Sequence, residues 1–184
     1  MRRLLGFGCT ELDTARIYGG GEAEGLLGAA LAATSLGDSF TTSSKASPSP
    51  DFGGLGAEGL KAQAATTMAD LALEQLDIYY LHSVDEEALL EETLAEIDRL
   101  HRAGMFRRFG LSNFSAWQTS QIFYKCKELG YVLPSVYQGL YNPLSRSVES
   151  EVLPCCKMLG IAFVRPNPQP PLVLSYATLA PTSA

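Results

Sequence analysis

The sequence predicts a parallel α/β fold of repeating strand-helix units, and three observations carry that prediction. Six short β-type runs recur with starts about 30 residues apart. Between them lie stretches with apolar residues at three-and-four spacing, clearest at Leu89, Leu90, Leu94, Ile97 and Leu100. A parallel neighbour needs a crossover long enough to hold a helix, and the strict alternation supplies one each time. Two architectures satisfy the pattern: an open doubly wound sheet, or part of a (β/α)8 barrel.

The strands are expected at residues 9–14, 39–44, 76–82, 106–112, 134–138 and 160–164, and the helices at 22–33, 58–73, 86–103, 116–129 and 148–159. Ser115 and Asp85 stand where helix caps belong, ahead of the 116–129 and 86–103 helices, and Gly104 and Gly130 stand where helices stop. Gly53, Gly54 and Gly56, with Pro48 and Pro50, mark a long mobile loop after the second strand. Prolines at 166, 168, 170 and 171 exclude a continuous helix there, which separates a Pro-rich tail, 166–184, from a body of 1–165.

Composition narrows the function. The 184 residues fit one domain, able to bury about 70% of its unfolded surface. Fourteen Lys+Arg against 20 Asp+Glu give a net charge of −6 without a basic cluster, which disfavours nucleic acid as a partner but leaves room for one anionic cofactor. No apolar run reaches the ~18 residues of a membrane span. The apolar start ends at Thr10, Glu11 and Asp13, too soon for a signal peptide, so a cytoplasmic protein is expected. Cys9, Cys126, Cys155 and Cys156 form no CxxC pair and have no histidine at metal-ligand spacing, so reduced thiols and no metal site are expected.

Four residues converge if the units are parallel, because all strand C-termini then face one side, where such folds place their sites. The first strand delivers Asp13 and, five residues on, Tyr18; the second delivers Lys45; the third delivers His82. Taken singly, each has a structural reading as cap, packed aromatic, solvated lysine or strand-end histidine. Together they suit carbonyl reduction. A tyrosine with a solution pKa near 10 needs a neighbouring cation to act as an acid near neutrality. Lys45 would be that cation, Asp13 would hold it, and His82 would orient a carbonyl oxygen.

The segments LDTARIYG, SSK, DIYYLH, GLSNF and VYQGLYN, in this order and spacing, resemble the aldo-keto reductases over about residues 1–165, and within them the aflatoxin-aldehyde reductase branch. The resemblance implies a (β/α)8 barrel and NADPH-dependent reduction of aldehydes and ketones to alcohols. It implies Tyr18 as general acid, Lys45 and Asp13 as the pair that tunes it, and His82 as the residue that orients the carbonyl. It also implies that Ser112, Asn113 and Gln138 hold the nicotinamide carboxamide, and that Trp117 and Tyr141 border either the substrate mouth or the core.

The chain departs from that pattern at both ends. The residues before Cys9 resemble the end of the first barrel helix, so the family's first strand is absent; Val164 stands where relatives carry an aromatic that stacks on nicotinamide. No counterpart of the eighth strand or of the basic segment that grips the 2′-phosphate is seen. The expectation is a barrel truncated to about six of eight strands by an alternative end or frame change. Weak or no NADPH binding, activity that is in question and exposed edges that favour self-association or pairing with a full-length relative would follow. The alternative is a non-catalytic binding or regulatory subunit, as in the family's potassium-channel β subunits. A Rossmann domain is disfavoured, because Gly19-Gly20-Gly21 runs into Glu22, Ala23 and Glu24 rather than completing G-x-G-x-x-G.

Overall fold

The computed structural model describes residues 1–165; the expectations for the Pro-rich tail, an eighth strand and a phosphate-gripping segment concern residues outside these. Six strands, β1 (Glu11–Asp13), β2 (Thr41–Ala46), β3 (Leu76–Leu81), β4 (Phe106–Ser112), β5 (Pro134–Gln138) and β6 (Ala162–Val164), form one sheet. Its order is sequential and every neighbouring pair is parallel. Helices α2 (Ala23–Thr34), α3 (Ala57–Leu71), α4 (Leu90–Arg102), α5 (Ala116–Leu129) and α6 (Val152–Leu159) fill the crossovers, and a short α1 (Arg2–Gly6) precedes β1. The sheet is curled: Gln138 at the end of β5 donates to Asp13 at the end of β1, 3.2 Å away. This is an incomplete (β/α)8 barrel with six of its strands, which decides between the two architectures the sequence left open.

Strand alternation divides the apolar residues into two layers. Tyr79, Leu81, Phe109, Leu111, Tyr137 and Phe163 point outward and join Leu60, Leu94, Ile97, Ile122 and Cys156 from the helices in the main core. Ile78, Tyr80 and Val136 point inward and make a small second cluster with Val164. Gly110 in β4 is required there. A Cβ at that position would lie 2.2 Å from the Tyr80 ring, so Tyr80 packs inward only because β4 has no side chain opposite it.

Three sequence expectations shift. Lys45 lies inside β2 rather than after it, because Gly37–Ser39 forms a 3-10 turn and the strand starts at Thr41. Asp85 does not cap a helix: its carboxylate accepts from the backbone N–H groups of Glu87 and Ala88 in the loop, and α4 starts only at Leu90. The last crossover begins as a 3-10 turn at Ser147–Glu149 before α6. Ser115 does cap α5, in a reciprocal box with Gln118, and Gly130 closes that helix with φ +67°. The glycine-rich stretch after β2 forms a 3-10 turn at Pro50–Phe52, and its end is tied by the Leu55 N–H to Asp85 at 2.7 Å.

Candidate active site

Backbone pairing carries the parallel ladder past the ends of the first strands. The Arg16 N–H donates to the Lys45 carbonyl at 3.1 Å and the His82 N–H to the Ala46 carbonyl at 3.0 Å, so the three chain segments leave the sheet side by side. After Arg16 the chain turns sharply through Gly19, Gly20 and Gly21, all with positive φ, a conformation open to glycine at little cost. That turn places Tyr18 over Lys45.

Lys45 is fully buried and points into the barrel. Its Nζ donates to Asp13 Oδ2 at 2.6 Å and to the Thr14 carbonyl at 2.8 Å. It lies 5.0 Å from the centre of the Tyr18 ring and 5.6 Å from that of Tyr80. Tyr18 and His82 meet edge to face with ring centres 5.6 Å apart. Asp13, Tyr18, Lys45 and His82, from three strand ends, therefore form one cluster. Tyr18 is 40% exposed. Its hydroxyl makes no hydrogen bond among the described residues. Beside His82 a cleft of about 440 Å³ opens between Ile17, Ser47 to Ser49 and the loop from Ser83 to Glu86.

The electrostatics follow from that packing. Burial, then the Lys45 charge, lower the His82 pKa to about 4, with Asp13 opposing, so the imidazole is neutral at pH 7. Burial lowers the Lys45 pKa while Asp13 pulls it up. The Tyr18 pKa is raised, first by burial and then by Asp13. The sequence reading had Lys45 bringing that pKa down. Asp13, clamped to the lysine, offsets the cation, and desolvation of the phenolate prevails.

Ser112, Asn113 and Gln138 flank the cluster. Gln138 is buried and spends one amide hydrogen on Asp13 Oδ1. Asn113 adopts φ +60° and donates to the His82 carbonyl at 2.9 Å and to Ser112 Oγ at 3.1 Å. What stays open is two amide oxygens, the second Gln138 amide hydrogen and one hydroxyl hydrogen: acceptors for an NH2 and donors for a carbonyl. That set fits a carboxamide. Trp117 and Tyr141 stand apart from the His82 cleft, each lining a separate cavity, and the Tyr141 hydroxyl donates to Glu149 at 2.8 Å.

A buried ionic network that the sequence did not reveal supports the cluster from behind. Arg16 Nη1 meets Glu24 Oε2 and Asp70 Oδ2, each at 2.6 Å, and its other nitrogen donates to the Gly21 carbonyl in the Tyr18 turn. Glu24 also accepts from Ser44, next to Lys45, and from Thr67. The Tyr79 hydroxyl is buried with no hydrogen-bond partner among the described residues, and burial, then the Glu24 charge, raise its pKa, with Arg16 opposing. One carboxylate thus joins the turn that carries Tyr18 to the strand that carries Lys45. Glu24 sits in the first turn of α2, two residues after the N-cap Glu22, and nothing local in the sequence distinguishes it from a surface acid.

A profile described as the Aldo/keto reductase family matches residues 1–168. The chain belongs to the aldo/keto reductase family. Its similarity extends to "Aflatoxin B1 aldehyde reductase member 2" of Homo sapiens, 39% identical over 169 residues that cover 91% of this chain and 47% of the relative. "Aldo-keto reductase family 7 member A3" of Homo sapiens is 38% identical over 168 residues, covering 91% and 50%. "Oxidoreductase sirO" of Leptosphaeria maculans is 42% identical over 162 residues, covering 88% and 48%. This aldo/keto reductase chain spans about half the length of the curated relatives it matches. Among its described residues no helix is long and apolar enough to cross a membrane.

Proposed function

We propose that this chain carries the carbonyl-reducing chemistry of an NADPH-dependent oxidoreductase acting on small aldehydes or ketones in the cytoplasm. The observation that carries the reading is the cluster of Tyr18, a neutral His82 and a Lys45 clamped to Asp13, at the open end of an aldo/keto reductase barrel. NADPH, when bound, supplies a hydride, and the carboxamide-compatible groups of Ser112, Asn113 and Gln138 would hold its nicotinamide. A carbonyl oxygen set between Tyr18 and His82 accepts a hydrogen bond from the neutral imidazole N–H, which fixes its direction. As the carbon gains the hydride pair, the C=O π pair moves onto oxygen, and Tyr18 gives that oxygen its phenolic proton to complete the alcohol. An alkoxide is a far stronger base than a phenolate, so Tyr18 delivers its proton despite a raised pKa. Lys45, with its Nζ 5.0 Å from the Tyr18 ring centre, then faces the charged ring until a proton returns.

The test is consumption of NADPH with an aromatic aldehyde at neutral pH, in the parent and in Tyr18→Phe. General acid catalysis is typically worth about 10² to 10⁴, so the variant should lose at least 10²-fold in turnover with unchanged circular dichroism. Parental turnover in Tyr18→Phe, or no consumption by the parent at millimolar NADPH, would overturn the reading.

A further inference from the structure

We propose that a second cavity, in the helix layer, binds a small, neutral, planar aromatic molecule that carries a hydrogen-bond acceptor. The cavity, about 210 Å³, lies between the segment leading into α3, the loop after β3 and the first turns of α4 and α5. Its floor is apolar and buried, made by Leu55, Leu81, Phe114 and Ile122. At its rim Trp117 is 65% exposed. A cavity of about 150 Å³ with such walls takes up benzene, so this one has room for a bicyclic ring system laid against the indole.

The polar groups select among aromatics. Among the described residues no lysine, arginine or histidine lines the cavity, which disfavours phosphates and carboxylates. Asp85 is its one acid, and it accepts from the N–H groups of Leu55, Glu87 and Ala88. The Thr93 hydroxyl is engaged by the Leu55 carbonyl at 2.8 Å. Gln118 Oε1 accepts from the Ser115 N–H at 2.9 Å and from the Ser115 hydroxyl at 2.8 Å, which leaves the Gln118 NH2 without a partner among the described residues; Gln121, an exposed residue, also lines the cavity. Two neutral amides over an apolar floor recognise a carbonyl or lactone oxygen on an uncharged ring. The cavity shares Val84 and Asp85 with the cleft beside His82, so the loop after β3 is a wall common to both.

Coumarin is the probe: planar, bicyclic, neutral, with a lactone carbonyl and no aldehyde or ketone. Trp117 is the only tryptophan, so its indole N–H gives one unambiguous signal in a nitrogen-proton spectrum of the labelled chain. Titration should shift that signal saturably, with half-saturation below about 1 mM. Ala88→Leu, which fills the cavity, should abolish the shift; Gln121→Ala, at an exposed position, should weaken binding about fivefold, the worth of one hydrogen bond. If Ala88→Leu loses signal dispersion, Gln121→Ala decides. The proposal fails if the indole signal stays fixed up to the solubility of coumarin, if affinity is undiminished in Gln121→Ala, or if the His82 imidazole responds in place of the indole.

Discussion

Lowering the pH probes the neutral state of His82 directly. Burial and the Lys45 ammonium bring its pKa from 6.5 to about 4, against the pull of Asp13. The unfolded chain therefore binds the proton more tightly, and stability rises with pH between about 4 and 6.5. The contribution is fully present above 6.5 and is lost as pH falls through about 4. The interval corresponds to at most about 3.4 kcal/mol, and because the ring borders an open cleft, solvent screening reduces this to about 1–2 kcal/mol. Somewhat over half of that is lost between pH 7.5 and pH 5, about 1 kcal/mol, or about 2–4 °C in Tm for a chain of this size. The assay pairs thermal melts at the two pH values with a proton NMR titration of the two histidines, His82 and His101, assigned by His82→Asn. The variant should lose the extra pH-dependence. A His82 resonance titrating at or above 6.5, or an equal Tm drop in His82→Asn, would refute the assignment of a neutral, desolvated imidazole.

Other perturbations test the groups behind the cluster. Lys45→Met leaves Asp13 without its cation, and by analogy with broken buried pairs it should cost about 3–5 kcal/mol in denaturant unfolding; adding Asp13→Asn should recover part of this, and a fully additive double variant would contradict the pairing. Glu24→Ala removes the carboxylate shared by Arg16, Ser44 and Thr67 and should cost at least about 2 kcal/mol, more than Glu22→Ala at the neighbouring position; equal melts would show that the network is not holding the Tyr18 turn. Gly110→Ala drives a methyl into the Tyr80 ring and should destabilise by about 1–3 kcal/mol, with the Tyr80 ring resonances displaced; a neutral variant would mean that Tyr80 has another seat.

The βα alternation was legible because apolar periodicity and crossover length are local properties of the chain, and the boundaries of β4, β5 and α5 follow from it directly. The Asp13 to Lys45 contact was also within reach, since β1 and β2 are sequence neighbours. The misses are tertiary. The sequence places Lys45 just past its strand, whereas the 3-10 turn at Gly37–Ser39 shifts β2 along the chain and a facing carboxylate lets the charge lie inside it. The direction of the Tyr18 pKa depended on how Asp13 and burial balance the lysine, which residue identity does not state. Asp85 read as a helix cap because it precedes two glutamates, yet its carboxylate is drawn off to the Leu55 N–H of another loop. Arg16 falls within the LDTARIYG segment, but its ionic role and that of Glu24 were not legible, because Asp70, Thr67 and Ser44, which complete the network, lie on α3 and β2.

The pairing of Asp13 with Lys45 also bears on the order in which the barrel can assemble. The two charges are 32 residues apart, on adjacent strands, so the first strand-helix-strand unit neutralises its own interior before the rest of the chain is needed. The Gln138 bond to the same carboxylate spans 125 residues and closes a far larger loop. The lysine and its counter-ion need only β1 and β2 to meet, while the amide that completes the carboxylate's coordination belongs to the fifth strand. The ion pair can form as a local event, whereas the finished pocket records the curling of the whole sheet.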